Sequence, residues 1–142
     1  MSVPPPLAQV DYMARLRHEM ARPPFHSFLK PEALAADASG AVVIRLPYRA
    51  EFARTPDEAG YHGGVIAALI DLAGHAAIAI RTGHMVPTVD LRIDYLRAAP
   101  GVALLARTKI LKLGRSFGRA DIDIETEAGQ HIAAGRGTYS TS

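Results

Sequence analysis

Residues 60–77 read GYHGGVIAALIDLAGHAA. A glycine pair opens a long apolar run, and one carboxylate, Asp71, sits in the middle of it. From Val65 to Ile80 the apolar residues do not form a stripe. They go almost all the way round a helical projection, which marks a helix buried on most sides. The run ends near Arg81-Thr82-Gly83, with Arg in the last turn and Gly as the stop. Gly64, Ala67 or Ala68, Asp71, and Gly74 or His75 recur at spacings of three and four, so they share one line down this helix. That line is small and polar, and its flanks carry Val65, Ile66, Leu69, Ile70 and Leu72. Small residues let something approach the backbone closely, and Asp71 points into the opening.

On both sides of the helix the pattern changes. Leu7, Val10, Met13, Leu16 and Met20 predict an amphipathic helix over residues 7–20, stopped by Pro23 and Pro24. The preceding PPP, residues 4–6, reads as an extended or disordered lead-in. EALAAD, a turn at Ala38-Ser39-Gly40 and the β-branched AVVIRLPY predict two strands over 32–49. Residues 50–61 read as a polar loop with Pro56 and Gly60. After the central helix, TVDLRIDYLRAA (88–99) alternates. Val89, Leu91, Ile93 and Tyr95 take one face, and Asp90, Arg92, Asp94 and Leu96 the other, as in a half-buried strand. Pro100-Gly101 turns the chain. VALLARTKILKL, GRADIDIETE and QHIAAGRGTYS supply the remaining strands. The expected class is α+β: a curved antiparallel sheet wrapped around one long central helix, with an extra helix at the N-terminus. Residues 1–24 form the N-terminal extension and helix, and 25–142 the main domain.

Composition narrows the function. With 142 residues, 49% of them hydrophobic, the chain can build its own core. A formal net charge of +2 and 6% aromatic residues, none of them Trp, argue against a nucleic-acid binder. The chain has no Cys, which excludes disulfides, thiolate zinc sites and a thiol nucleophile. His18, His26, His84 and His131 show no metal-ligand spacing and read as structural or surface residues. The run over 65–80 is short for a membrane span and contains Asp71 and His75. MSVPPPLAQVDYM lacks the basic start and apolar core of a secretory signal. A cytoplasmic location away from membranes is expected.

Two features of the opening stretch carry chemistry. An ionised carboxylate in apolar surroundings is costly unless paired or hydrogen-bonded. Asp71 is therefore either a working group in a cleft or a structural one, reaching a surface or bonding His75 one turn later. The first N–H groups of a helix lack intrahelical partners and carry positive partial charge. Gly63 and Gly64 leave them without covering side chains. Such a start either holds an oxygen that gains negative charge or is a plain tight turn.

His-Gly-Gly at 62–64, an Asp nine residues after the His, and TVDLRIDYLR some 26 residues after it together resemble the hotdog-fold thioesterases of the PaaI-like, phenylacetate-pathway family. The resemblance covers about residue 30 to the end. It implies hydrolysis of acyl-CoA thioesters, with a small to medium acyl or aryl-acyl group, at a dimer interface, with dimers often pairing into a tetramer. It places the Gly63 N–H as the oxyanion donor and His62 as the shaper of the turn. Asp71 becomes general base or nucleophile, and Thr88 a hydroxyl that supports the carboxylate or the water. Gly64 lies beside the substrate. LGRSFGRA (113–120) is similar to the family's segment beside coenzyme A, which makes Arg115 and Ser116 candidate CoA contacts. No metal and no cofactor beyond the CoA of the substrate are implied.

Between residues 88 and 119, seven Lys and Arg face only Asp90 and Asp94, as phosphate binding requires. The alternative is that these charges only keep the outward faces and edges of the strands soluble, which for any single Arg is the favoured reading. The chain departs from the family at Pro56, where many relatives carry an Asn. A non-catalytic acyl-CoA-binding protein on the same fold is therefore the alternative. The Asp/His motif of hotdog hydratases is not found.

Overall fold

The computed structural model describes residues 10–142; the expected lead-in at 4–6 and the first residues of the predicted N-terminal helix lie outside them. Helix α1 runs Tyr12–Ala21 and α2 Pro24–Leu29. Strands β1 (Glu32–Ala36) and β2 (Val42–Leu46) follow, then a single 3-10 turn at Ala50–Phe52. The long helix α3 spans Gly63–Thr82. Strands β3 (Thr88–Tyr95), β4 (Leu104–Leu113), β5 (Phe117–Thr126) and β6 (His131–Ser140) complete the chain. All six strands form one antiparallel sheet in the order β1-β2-β4-β5-β6-β3. The α+β class and the sheet wrapped on a central helix are as the sequence predicts.

Local chemistry sets the ends of these elements. The Asp11 carboxylate accepts the Ala14 N–H at 2.9 Å, so α1 begins at Tyr12 and leaves Val10 and Asp11 outside the helix. Pro23 and Pro24 do end α1, but Pro24 also opens α2, which the sequence pattern did not reveal. Proline is at home in a first helical turn, where its missing N–H would have no partner anyway. Helix α3 stops at Gly83, which is left-handed at φ 82° and donates to the Ala79 carbonyl. The Arg15 guanidinium of α1 donates to the Ile80 carbonyl at 2.6 Å and caps the same end.

The core lies between α3 and the inner face of the sheet. Val42, Ile44 and Leu46 of β2, Leu104 and Ala106 of β4, and Ala120, Ile122 and Ile124 of β5 are buried at alternate positions. Eleven of the twenty α3 residues are buried against them. The helix is long and apolar enough to cross a membrane by composition, and here the sheet supplies its apolar surroundings.

Close approach depends on glycine. A Cβ on Gly135 would lie 2.4 Å from the Ile70 side chain, and one on Gly118 would lie 2.9 Å from Ile78. A Cβ on Gly74 would fall 2.1 Å from the Tyr139 hydroxyl. At Gly74, then, the small-residue line of the helix is filled by the protein's own Tyr139 and does not stand open to a ligand.

Strand β3 departs from the half-buried expectation. Leu91 and Ile93 are only partly covered, while Val89 and Tyr95 are 55% and 52% exposed. The strand ends the sheet, with β6 on one side and no strand of the described residues on the other. Alternation fixes which side chains share a face, but not whether this chain covers that face.

The fit at Gly74 is testable. Gly74→Ala should destabilise the fold by about 1–2 kcal/mol in urea unfolding, the overpacking cost exceeding the gain in helix propensity. Tyr139→Phe, which removes the closest atom, should recover part of the loss.

Candidate active site

Asp71 lies near the middle of α3 and is half-buried. Its Oδ1 accepts the Thr88 hydroxyl at 2.7 Å. The Tyr139 hydroxyl donates to the Asp71 backbone carbonyl at 3.2 Å. Burial raises the Tyr139 phenol well above the ordinary tyrosine value, so it stays protonated and remains a donor. Thr88 is the first residue of β3. The chain reaches it through Val86, fully buried, and Pro87, whose carbonyl accepts the Ser140 N–H at 2.8 Å.

His75, one turn after Asp71, does not pair with it. Its Nε2 accepts the Val86 N–H at 3.3 Å, and its Nδ1 faces Glu19 of α1 at 3.8 Å. The ring is satisfied by the backbone, and the expected alternative of an Asp71–His75 bond is not what it makes. Burial pushes it below the usual imidazole value; Glu19 and Asp71 oppose that shift, and Arg22 and His26 add to it. His26 is buried between α1 and α2, where its Nδ1 faces the carbonyls of Glu19 and Met20 at 3.0 and 3.2 Å.

The start of α3 is built separately. His62 is the N-cap, and its Nδ1 accepts the Gly64 N–H at 2.8 Å. The sequence left both glycine amides free of side chains, but the His62 ring engages the second. A Cβ on Gly64 would meet that ring at 3.0 Å, which explains the glycine. The Gly63 N–H makes no hydrogen bond among the described residues. The turn is fixed from below, because the His62 and Tyr61 amides donate to Phe52 and Ala99 at 2.7 and 3.1 Å. Tyr95, at the far end of β3, donates its hydroxyl to the Gly63 carbonyl at 2.8 Å. No motif in the sequence marks Tyr95 or Tyr139 as a site residue. Only the small partners at Gly63, Gly74 and Gly137 hint at them.

Thus β3 touches α3 twice, through Thr88 beside Asp71 and through Tyr95 beside Gly63. Asp71 lies eight residues beyond Gly63 on the helix, about 12 Å of axial rise. Within one chain the free amide and the carboxylate do not meet.

Arg115 and Ser116 lie in the exposed β4–β5 turn, beside a surface cavity of about 440 Å³ that Lys112 and Arg119 also line. The turn is tied to the C-terminus by the Thr141 N–H on the Ser116 carbonyl. Residues Leu113, Gly118, Tyr139 and Thr88 share one row across the sheet. The turn therefore stands two to three strand spacings, roughly 10–14 Å, from Thr88, and no hydrogen bond joins it to Asp71. A larger cleft of about 630 Å³ lies on the outer face of the sheet. Charged pairs such as Asp121–Arg136 line it, and it contains neither Asp71 nor the helix start. Pro56 is exposed in the loop before the helix.

Comparison with known proteins matches residues 61–133 to the model of the thioesterase superfamily. The chain belongs to the thioesterase superfamily. A candidate esterase of Halobacterium salinarum is 35% identical over 117 residues, covering 72% of this chain and 76% of that protein. A medium/long-chain acyl-CoA thioesterase of Escherichia coli is 32% identical over 94 residues, covering 55% of this chain and 60% of that protein. The crystal structure of another superfamily protein superposes with a TM-score of 0.86 at 32% identity, over 91% of this chain and 97% of the other. The Escherichia coli PaaI protein of the phenylacetic acid degradation operon shares the fold, with a TM-score of 0.79 at 20% identity over 92% and 95% of the two chains. The superfamily match spans both the His62 cap and Asp71.

The buried His75 makes stability depend on pH in a defined direction. Its pKa is lower folded than unfolded, so on acidification the unfolded chain takes the proton first. This contribution is fully present above about pH 6.5 and is lost as the pH falls toward the folded value. The melting temperature should therefore drop more steeply between pH 7 and 5 in the wild type than in His75→Gln.

Proposed function

We propose that the protein hydrolyses acyl-CoA thioesters at a site made by two copies pairing along β3. The observation that carries this is the separation of Gly63 from Asp71. A thioester carbonyl must lie within about 3 Å of both the oxyanion donor and the attacking group. Eight residues apart on the helix, the two cannot serve one carbonyl within one chain. The free edge of β3 offers a remedy. Two such edges pairing antiparallel, with Thr88 opposite Tyr95, bring the Asp71–Thr88 end of one copy against the Tyr95–Gly63 end of the other. The exposed Val89, Tyr95 and Leu96 on and just beyond this strand supply apolar surface for the contact.

The chemistry requires few groups. A thioester is an activated carbonyl, and water adds to its carbon while the C–S bond breaks and the sulfur takes a proton. The Gly63 N–H, at the positive end of α3, stabilises the charge that develops on the carbonyl oxygen. Thr88 occupies one oxygen of Asp71 and orients the other. That second oxygen either takes the proton from the attacking water or attacks the carbonyl itself. His62 shapes the donor turn by binding the Gly64 amide. Arg115, with Ser116 beside it, takes a phosphate of CoA at the β4–β5 turn, and Lys112 and Arg119 add positive charge. The Escherichia coli relative named as a medium/long-chain acyl-CoA thioesterase supports acyl-CoA as the substrate class.

Thiol release from a panel of short, medium, long and aryl-acyl CoAs tests this reading. Asp71→Asn should lower turnover of the preferred substrate by at least about 100-fold. Binding of acyl-CoA without thiol release from the wild type would instead favour the non-catalytic reading, with Pro56 marking the change.

The CoA contact has its own test. Arg115→Ala should raise KM for acyl-CoA about fivefold or more and leave kcat within about twofold. It should have no effect on a truncated thioester that lacks the nucleotide.

A further inference from the structure

The corner that delivers Thr88 is held at three successive residues. The Val86 N–H donates to His75 Nε2 at 3.3 Å. The Pro87 carbonyl accepts from Ser140, and the Thr88 hydroxyl donates to Asp71. His75 and Asp71 are one turn apart on the same face of α3, so the strand entry is pinned twice to one face of one helix. Proline fixes its own φ, so little rotation remains between the two pins.

We propose that His75 is a positioning residue for hydrolysis at Asp71: by accepting the Val86 amide it holds the Val86–Pro87–Thr88 corner so that the Thr88 hydroxyl meets the carboxylate. This rests on the reading of Asp71 as the acting group. The role requires a neutral ring with its proton on Nδ1, because only then is Nε2 an acceptor. Glu19, 3.8 Å from Nδ1, favours that tautomer and ties α1 to the site. The ring is mostly buried, with 19% of its side chain exposed, and the charged or titratable groups around it are Glu19 and Arg22 of α1, His26 of α2 and Asp71 of α3. A second proton would place an N–H on Nε2 against the Val86 N–H and release the corner.

The experiment combines thiol release with amide hydrogen exchange over residues 84–89, in the wild type, His75→Leu, His75→Gln and Thr88→Ala. His75→Leu should lower kcat about tenfold with KM within about twofold, and should speed Val86 exchange by about tenfold or more. His75→Gln, whose Oε1 takes the place of Nε2 as acceptor, should recover most of both. In the Thr88→Ala background His75→Leu should cost less than about twofold, because the two residues act through one contact. Equal losses in both backgrounds, or unchanged Val86 exchange in His75→Leu, would overturn the proposal.

Should His75→Leu fail to fold, the wild type and His75→Gln suffice. After correction for intrinsic rates, acidification should deprotect Val86 in the wild type and not in His75→Gln; identical profiles would count against the strut. Absence of turnover in the wild type removes the hydrolase reading alone, and the exchange measurements still decide whether His75 holds the corner.

Discussion

The structure depends on how closely α3 lies against the sheet. At Gly118 and Gly135 a single added carbon would collide with an isoleucine of the helix, and at Gly74 with the Tyr139 hydroxyl. Interiors packed this densely do not slide. The helix therefore presents Asp71 at one height and one rotation. Tyr139 adds a bond to the backbone at Asp71, and Thr88 adds one to the carboxylate. The precision of the candidate site is inherited from glycines outside it.

The same packing explains how few groups the site contains. A backbone amide at a helix start, a carboxylate and a hydroxyl need no further machinery if each is held in place. His62 consumes one amide to shape the turn and leaves the other free. Tyr95 and Thr88 link both parts of the helix to β3, so the strand at the sheet's edge also braces the candidate site.

Much of this is legible in the residues. Apolar character all round residues 65–80 signals a wrapped helix, and the β-branched run AVVIRLPY with the two runs after Pro100-Gly101 locates β2, β4 and β5 to within about two residues. What is not legible has physical causes. Pro24 reads as a stop, yet the same ring is suited to a helix start, so α2 went unseen. The alternation of β3 marks a shared face but not whether this chain covers it. Gly74 reads as an opening because sequence shows that a side chain is missing, not that Tyr139 from 65 residues away occupies the space. Asp71 and Thr88 are 17 residues apart and were linked only by resemblance, and the acceptor role of His75 depends on a loop register that no motif encodes.

The eight-residue separation between Gly63 and Asp71 has a consequence for inheritance. On the proposed pairing each dimer holds two sites, each drawing its amide from one chain and its carboxylate from the other. A chain damaged only at Asp71 still lends its amide to a sound partner, so a mixed dimer keeps one site. A chain damaged at both positions spoils both sites of every mixed dimer. Two lesions in one allele would then be dominant, whereas the same lesions split between two alleles would partly complement each other.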